Sequence, residues 1–269
     1  MRRSFFFFVL ALSVLGASGA GPARAQVAPK AAADAGPAVD VDRIVRAFTA
    51  KETQFRKALN GYTFTRDATI QTIGFGGQIT GEYNRVSAFT FNDAGERFER
   101  ITRFPVPTLT EISFTNEDLE DLGGVQPFAL EASKINLYNF TYAGREKVDE
   151  LETYVFDVAP KVTPKKVSER FFQGRVWVDA TDLQIVKVKG KGVPEGKQRF
   201  PTFETYRQQI DGKYWFPTYT YADDQLVFPG GQTVHVRMKV RYADYKLFKG
   251  RVRVIEEGEP GETPDGPRE

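Results

Sequence analysis

Apolar side chains recur along this chain in two rhythms, one following the other. Val41, Ile44, Val45, Phe48, Phe55 and Leu59 stand at roughly helical spacing, with Asp40 or Asp42 placed to cap the start and Asn60-Gly61 to end it. The pattern predicts one amphipathic helix. From residue 62 the period falls to two: Tyr62, Phe64, Arg66, Ala68 and Ile70 alternate with polar Thr63, Thr65, Asp67 and Thr69, which is a strand with one polar face. Similar strands are predicted over 78–91 and 97–104, flanking a turn at 92–95, and over 138–142 and 154–158, flanking a turn near Val148-Asp149. Further strands fall at 171–179 and 183–189, at 202–210 and 214–221 across Asp211-Gly212-Lys213, and at 233–248. The acidic stretch 115–123 reads as a short helix, and the basic, Pro-containing stretch 162–170 as a mobile loop. There is no internal repeat.

In the last strand Val234, Val236, Met238 and Val240 face one way, and His235, Arg237, Lys239 and Arg241 the other. Roughly ten such one-sided strands, joined mostly by hairpins, make a mostly β protein with few helices, built on a single antiparallel sheet covered on one face. A sheet that long curls its apolar face inward. Two helices are thin filling for 23 Phe and 11 Tyr, so either the aromatic rings fill the interior themselves or a cavity remains for an apolar guest. The candidate lining is Phe64, Phe89, Phe140, Tyr142, Phe156, Val176, Val178, Val236 and Met238, all on the apolar parity of their strands. Trp177 has the opposite parity and reads as a rim or outer packing residue.

The two ends change the picture. Arg2 and Arg3, the apolar run Phe5 to Leu15 and the small-x-small site Ala23-Arg24-Ala25 read as a cleaved export signal over 1–25. An Ala/Pro/Gly-rich linker follows over 26–40, then the β domain over 41–255 and an acidic tail over 256–269. Removing the signal takes Arg2, Arg3 and Arg24 with it and lowers the formal charge from +2 to about −1. A periplasmic or secreted protein without an integral membrane anchor is expected. Lacking Cys, it must hold its fold by burial alone.

Chemistry is thinly supplied. The single imidazole, His235, sits among cations on the exposed parity, and with no Cys neither a zinc site nor a Ser-His-Asp triad is supported; no cofactor or metal is expected. Asp179 with Asp182, and Asp223 with Asp224, fit turns between strands, as the 117–121 carboxylates fit a helix turn. A carboxylate-only enzyme is the weakest reading. Gly74–Gly77 lacks the Lys-Ser or Lys-Thr of a phosphate loop and reads as a hairpin or bulge. Near-neutral mature charge and export argue against nucleic acid. Lys165 and Lys166 suit either an ordinary solvated loop or phosphate headgroups at a cavity mouth.

The chain resembles the LolA/LolB/RseB superfamily of periplasmic proteins. The residues that carry this are the export signal, the helix running into Tyr62–Thr65 (YTFT), the strand Thr153–Pro160 (TYVFDVAP), Gly174–Asp179 (GRVWVD) with Leu183–Lys187 (LQIVK), and Gly212–Pro217 (GKYWFP). The resemblance implies an unclosed β-barrel wrapped over an N-terminal helix and a short helix, with a hydrophobic cavity for the acyl chains of lipids or lipoproteins. It implies a non-enzymatic carrier or, alternatively, an RseB-like sensor docking on a membrane protein partner. Arg66 and Arg85 both lie near the place of that family's lid-locking arginine, and neither is assigned the role.

Overall fold

The computed structural model describes residues 39–92, 94–112, 129–165, 170–195 and 199–248. The predicted export signal, most of the linker, the short helix at 115–123, Lys166 and the acidic tail lie outside the described residues.

The first element is α1 (Val41–Leu59), whose N-cap Asp40 accepts a hydrogen bond from the Arg43 backbone N–H at 2.9 Å. Its buried stripe is Ile44, Val45, Phe48, Thr49, Glu52, Phe55 and Leu59. Thr49 satisfies its buried hydroxyl on the Val45 carbonyl at 2.8 Å, and Glu52 is the one charged residue in the stripe.

Ten strands follow: β1 (Tyr62–Ile73), β2 (Ile79–Phe91), β3 (Arg97–Arg103), β4 (Tyr138–Val148), β5 (Leu151–Pro160), β6 (Phe171–Asp179), β7 (Ile185–Val193), β8 (Phe203–Ile210), β9 (Tyr214–Val227) and β10 (Thr233–Leu247). They form one antiparallel sheet in the order β3-β2-β1-β10-β9-β8-β7-β6-β5-β4, and β3 and β4 are its two open edges. The expected single, unclosed sheet over an N-terminal helix is therefore the observed architecture. The chain builds β1 to β3 outward, passes from one edge of the sheet to the other, and returns by hairpins until β10 pairs with β1. A short 3-10 segment, Ala132–Leu137, leads into β4 and was not foreseen.

Contacts of α1 show that the sheet curls around it. Phe48 touches Phe140 on β4 and Phe156 on β5, with ring centroids 5.6 and 5.7 Å away, while Phe55 touches Phe216 on β9 at 5.7 Å. Seven helical residues advance only about 10 Å. The five strand spacings between β4 and β9 would cover about 24 Å in a flat sheet. One face of the sheet is thus wrapped inward toward the helix.

Turns follow the chemistry of their residues. Asp211 and Gly212 both take positive φ in the three-residue β8–β9 turn Asp211-Gly212-Lys213, and Gly76 and Gly77 do so between β1 and β2, where the Gly-rich stretch is a hairpin connection. One expectation needs correcting. Asp223 and Asp224 do not sit in a turn: they lie inside β9, which runs on to Val227 because its pairing with β10 continues through both residues.

Candidate functional site

The inner face carries the predicted lining residues, and they fall into two groups. Phe140, Tyr142, Phe156, Val176 and Val178 lie on β4, β5 and β6. Phe156 and the two valines are fully buried, and Phe140 and Tyr142 are half-buried. Phe156 stands beside Tyr142 and Val176 in register, and Phe48 of α1 packs on Phe140 and Phe156 from above. The other group is Phe64, Phe89, Val236 and Met238 on β1, β2 and β10. Phe64 and Phe89, paired across the two strands, stack at 4.5 Å, and Phe64 also meets Tyr245 at 5.3 Å. Val236 and Met238 are buried in the same cluster as Phe55, Leu59 and Phe216. Where α1 reaches, rings and helix fill the wall.

The cover thins toward β3. Leu109 and Ile112, from the segment after that strand, pack on the core, and Leu109 crosses Gly81 so closely that a Cβ there would lie 2.9 Å from its Cα. Beyond that crossing, Ile101 and Phe104 remain 48% exposed, with Phe104 edge-on to the buried Tyr83 ring at 5.4 Å.

Polar groups are also built into this inner face, and sequence reasoning did not place them. Glu52 of α1, 2% exposed, meets Arg207 of β8 in a two-pronged ion pair at 2.6 and 3.1 Å, and the guanidinium lies 4.5 Å over the Phe55 ring. Arg66 and Arg85 both reach Glu99 of β3, at 2.9 and 2.6 Å. Arg97 donates to the Leu59 carbonyl at the end of α1 and lies over Phe64 and Phe89; burial lowers its pKa, with Tyr245 opposing. Tyr242 stands opposite Arg66 across β1–β10, and burial pushes its hydroxyl up to about 12 against the opposing pull of Arg66. A signal for Arg66 was present: it sits at an apolar parity between Phe64 and Ala68.

The outer face is different in kind. An open groove of about 720 Å³ crosses β4 to β8, walled by Asp157, Arg175, Trp177, Lys187, Lys189 and Glu204 among others. Its charges pair off. Arg175 grips Asp157 at 2.8 and 3.1 Å, and Lys187 and Lys189 share Glu204 at 3.1 and 2.7 Å. Burial alone would raise the Glu204 carboxyl, but hydrogen bonds from Lys189, Lys187 and Tyr206 hold it down at about 2. Trp177 packs with Val155 and Val186 on this face and donates its indole N–H to Glu146 at 2.7 Å, which fits outer packing.

The candidate chemical groups have structural partners. His235 contacts Asp223, whose carboxyl is held at about 2 mainly by that hydrogen bond and further by Tyr221 and Arg237. The Asp179 carboxylate accepts from the Asp182 backbone N–H at 3.0 Å and closes the β6–β7 turn, and burial raises its pKa. Among the described residues, no group of three or more His, Asp or Glu is placed to hold a metal ion, and no helix is long and apolar enough to cross a membrane.

No protein-family model matches the chain, and no curated protein does. Solved structures do align with it. One is a DUF1329 family protein from Desulfovibrio piger (14% identity, 76% of this chain and 92% of that one, TM-score 0.38). Another is a LolA superfamily protein from Nitrosomonas europaea (14% identity, 74% and 94%, TM-score 0.33). A third is the MucA/MucB complex of Pseudomonas aeruginosa (10% identity, 71% and 92%, TM-score 0.22). LolA-type proteins are the group that the sequence resembles; overlap at this level speaks to neither cargo nor activity.

Proposed function

We propose that this protein is a periplasmic, non-enzymatic carrier that shields the acyl portion of a lipid or lipoprotein against the inner face of its curled sheet. The observation that carries the reading is the aromatic inner face itself: Phe140 and Phe156 under α1 at one side, Phe216 joined through Tyr245 to Phe64 and Phe89 at the other, and Ile101 and Phe104 left exposed beside β3. Phe64, Phe89, Phe140, Tyr142, Phe156, Val176, Val178, Val236 and Met238 form the wall in this proposal. A guest chain gains about 0.8 kcal/mol for each methylene taken out of water. A dozen carbons suffice for retention, and an open side permits handover. Because the rings near α1 already touch, the guest enters from the β3 side and displaces apolar contacts rather than water.

Mass spectrometry of lipids co-purified with the full exported chain tests this. Stoichiometric acyl species are expected, and they are lost in Phe140→Asp, whose half-buried ring makes it the gentler probe; Phe156→Asp, at a fully buried site, serves only if circular dichroism shows native folding. Retention of lipid by a folded Phe140→Asp protein contradicts the wall. A lipid-free preparation that captures a membrane protein favours the sensor reading.

A further inference from the structure

The β1–β3 side of the inner face concentrates positive charge where an apolar wall alone needs none. Among the described residues, Arg66, Arg85 and Arg97 stand there against one carboxylate, Glu99. Arg66 is 6% exposed, and its guanidinium lies 4.9 Å over the Phe89 ring. Ser87, directly opposite Arg66 in the β1–β2 register, is fully buried. Among the described residues the Ser87 hydroxyl and the Nε–H groups of Arg66 and Arg85 have no hydrogen-bond partner. Buried donors are normally satisfied, and leaving three unmet around an excess of two positive charges is unfavourable unless something fills them. What fits is an acceptor-rich anion of more than one oxygen, since guanidinium forks and a hydroxyl donate to phosphate and carboxylate alike. Arg85 and Glu99 keep 19% and 25% of their side chains exposed, so water meets the rim of the cluster while the three donors lie beneath it.

We propose that Arg66, Arg85 and Ser87, supported by Arg97, form a seat for a phosphate or carboxylate headgroup, with Phe89 and Phe64 receiving the start of the attached acyl chain. This rests on the carrier reading for the chain, but not for the anion. It names the cargo class as anionic single- or double-chain lipids, and sets neutral acylglycerols at a disadvantage.

The test is calorimetric titration of the delipidated full chain with three probes below their micelle concentrations: palmitoyl lysophosphatidylglycerol, monopalmitoylglycerol and inorganic phosphate. The anionic lipid should bind roughly ten- to hundredfold tighter than the neutral one, the range that one charge-assisted hydrogen bond supplies. Arg85→Gln should bring that ratio close to one while leaving monopalmitoylglycerol affinity unchanged, which is the control for folding. Ser87→Ala, a smaller change, should lower the ratio about threefold and keeps the test decisive if Arg85→Gln does not fold. Phosphate binding that is lost in Arg85→Gln, with neither lipid bound, supports the seat for a free anion and overturns the acyl wall. Equal binding of the two lipids, with no phosphate binding, overturns the seat and leaves the wall standing. No binding of any probe overturns both.

Discussion

Removing the Glu52 carboxylate is the sharpest perturbation of the architecture, because one buried ion pair fastens α1 to the curled sheet. Arg207 has 9% of its side chain exposed, so in Glu52→Ala water reaches little of the guanidinium. What remains to it is the Ile185 carbonyl at 3.4 Å and the Phe55 ring at 4.5 Å. Breaking a buried pair by removing one partner costs about 3–5 kcal/mol; the cation–π contact is present in both proteins and cancels, while the Ile185 carbonyl and the residual exposure of Arg207 hold the loss to the lower end. A loss of about 3 kcal/mol follows. For a domain of this size that is roughly 6–12 °C in Tm. Urea denaturation followed by the fluorescence of Trp177 and Trp215 reads it directly, both being sheet residues whose indoles are hydrogen-bonded to carboxylates. The double variant Glu52→Leu/Arg207→Met removes both charges at similar volume and should recover most of the loss. A loss under about 1 kcal/mol in Glu52→Ala, or a double variant as unstable as the single, refutes the reasoning that this pair is dry and clamps the helix.

Two further changes probe the sheet. Gly174 and Gly190 face each other across β6–β7 beneath the Phe172 ring, and a Cβ on Gly190 would lie 2.4 Å from the Gln173 carbonyl oxygen and 2.6 Å from that ring; Gly190→Ala should therefore destabilise by about 1–3 kcal/mol in the same urea assay, and an unchanged midpoint would show the close approach to be absent. On the outer face, the folded Glu204 pKa of about 2 lies below its ordinary 4.5, so its contribution is present above pH 4.5 and fades as pH falls toward 2. Discounted for a carboxylate one-quarter exposed, the gap between wild type and Glu204→Gln should be about 1–2 kcal/mol at pH 6 and shrink by pH 3; a gap independent of pH contradicts the pairing with Lys187 and Lys189.

Local pattern made most of the elements legible. Strand alternation carries its own register of in and out, so the Val234–Val240 face, the helix stripe and the hairpin at Asp211-Gly212 were all readable without tertiary knowledge. Strand order was not, because the passage from β3 to the far edge leaves no periodic trace. Asp223 and Asp224 mimicked a turn by composition, whereas cross-strand partners on β10 keep them in β9. The inner-face charges were hidden for a related reason. Glu52 and Arg207 are 155 residues apart and meet only once the sheet curls. Arg66 betrays itself by parity alone, and Glu99, which holds it, lies on the opposite parity from the exposed apolar Phe98 of an edge strand. The inward-facing aromatic residues were readable from strand parity; their division between a part packed under α1 and a part beside the β3 edge came only from the fold.

The most direct measurement is the attachment site of a photoreactive acyl chain. A palmitate carrying a terminal diazirine, irradiated with the full chain and mapped by peptide mass spectrometry, should label inner-face wall segments remote from the Arg66–Arg85 seat, those around Phe140 and Phe156 on β4 and β5 among them. Labelling confined to the outer groove around Arg175 and Lys189, or none above that of a denatured control, would contradict the account of the inner face as the place where hydrocarbon is held.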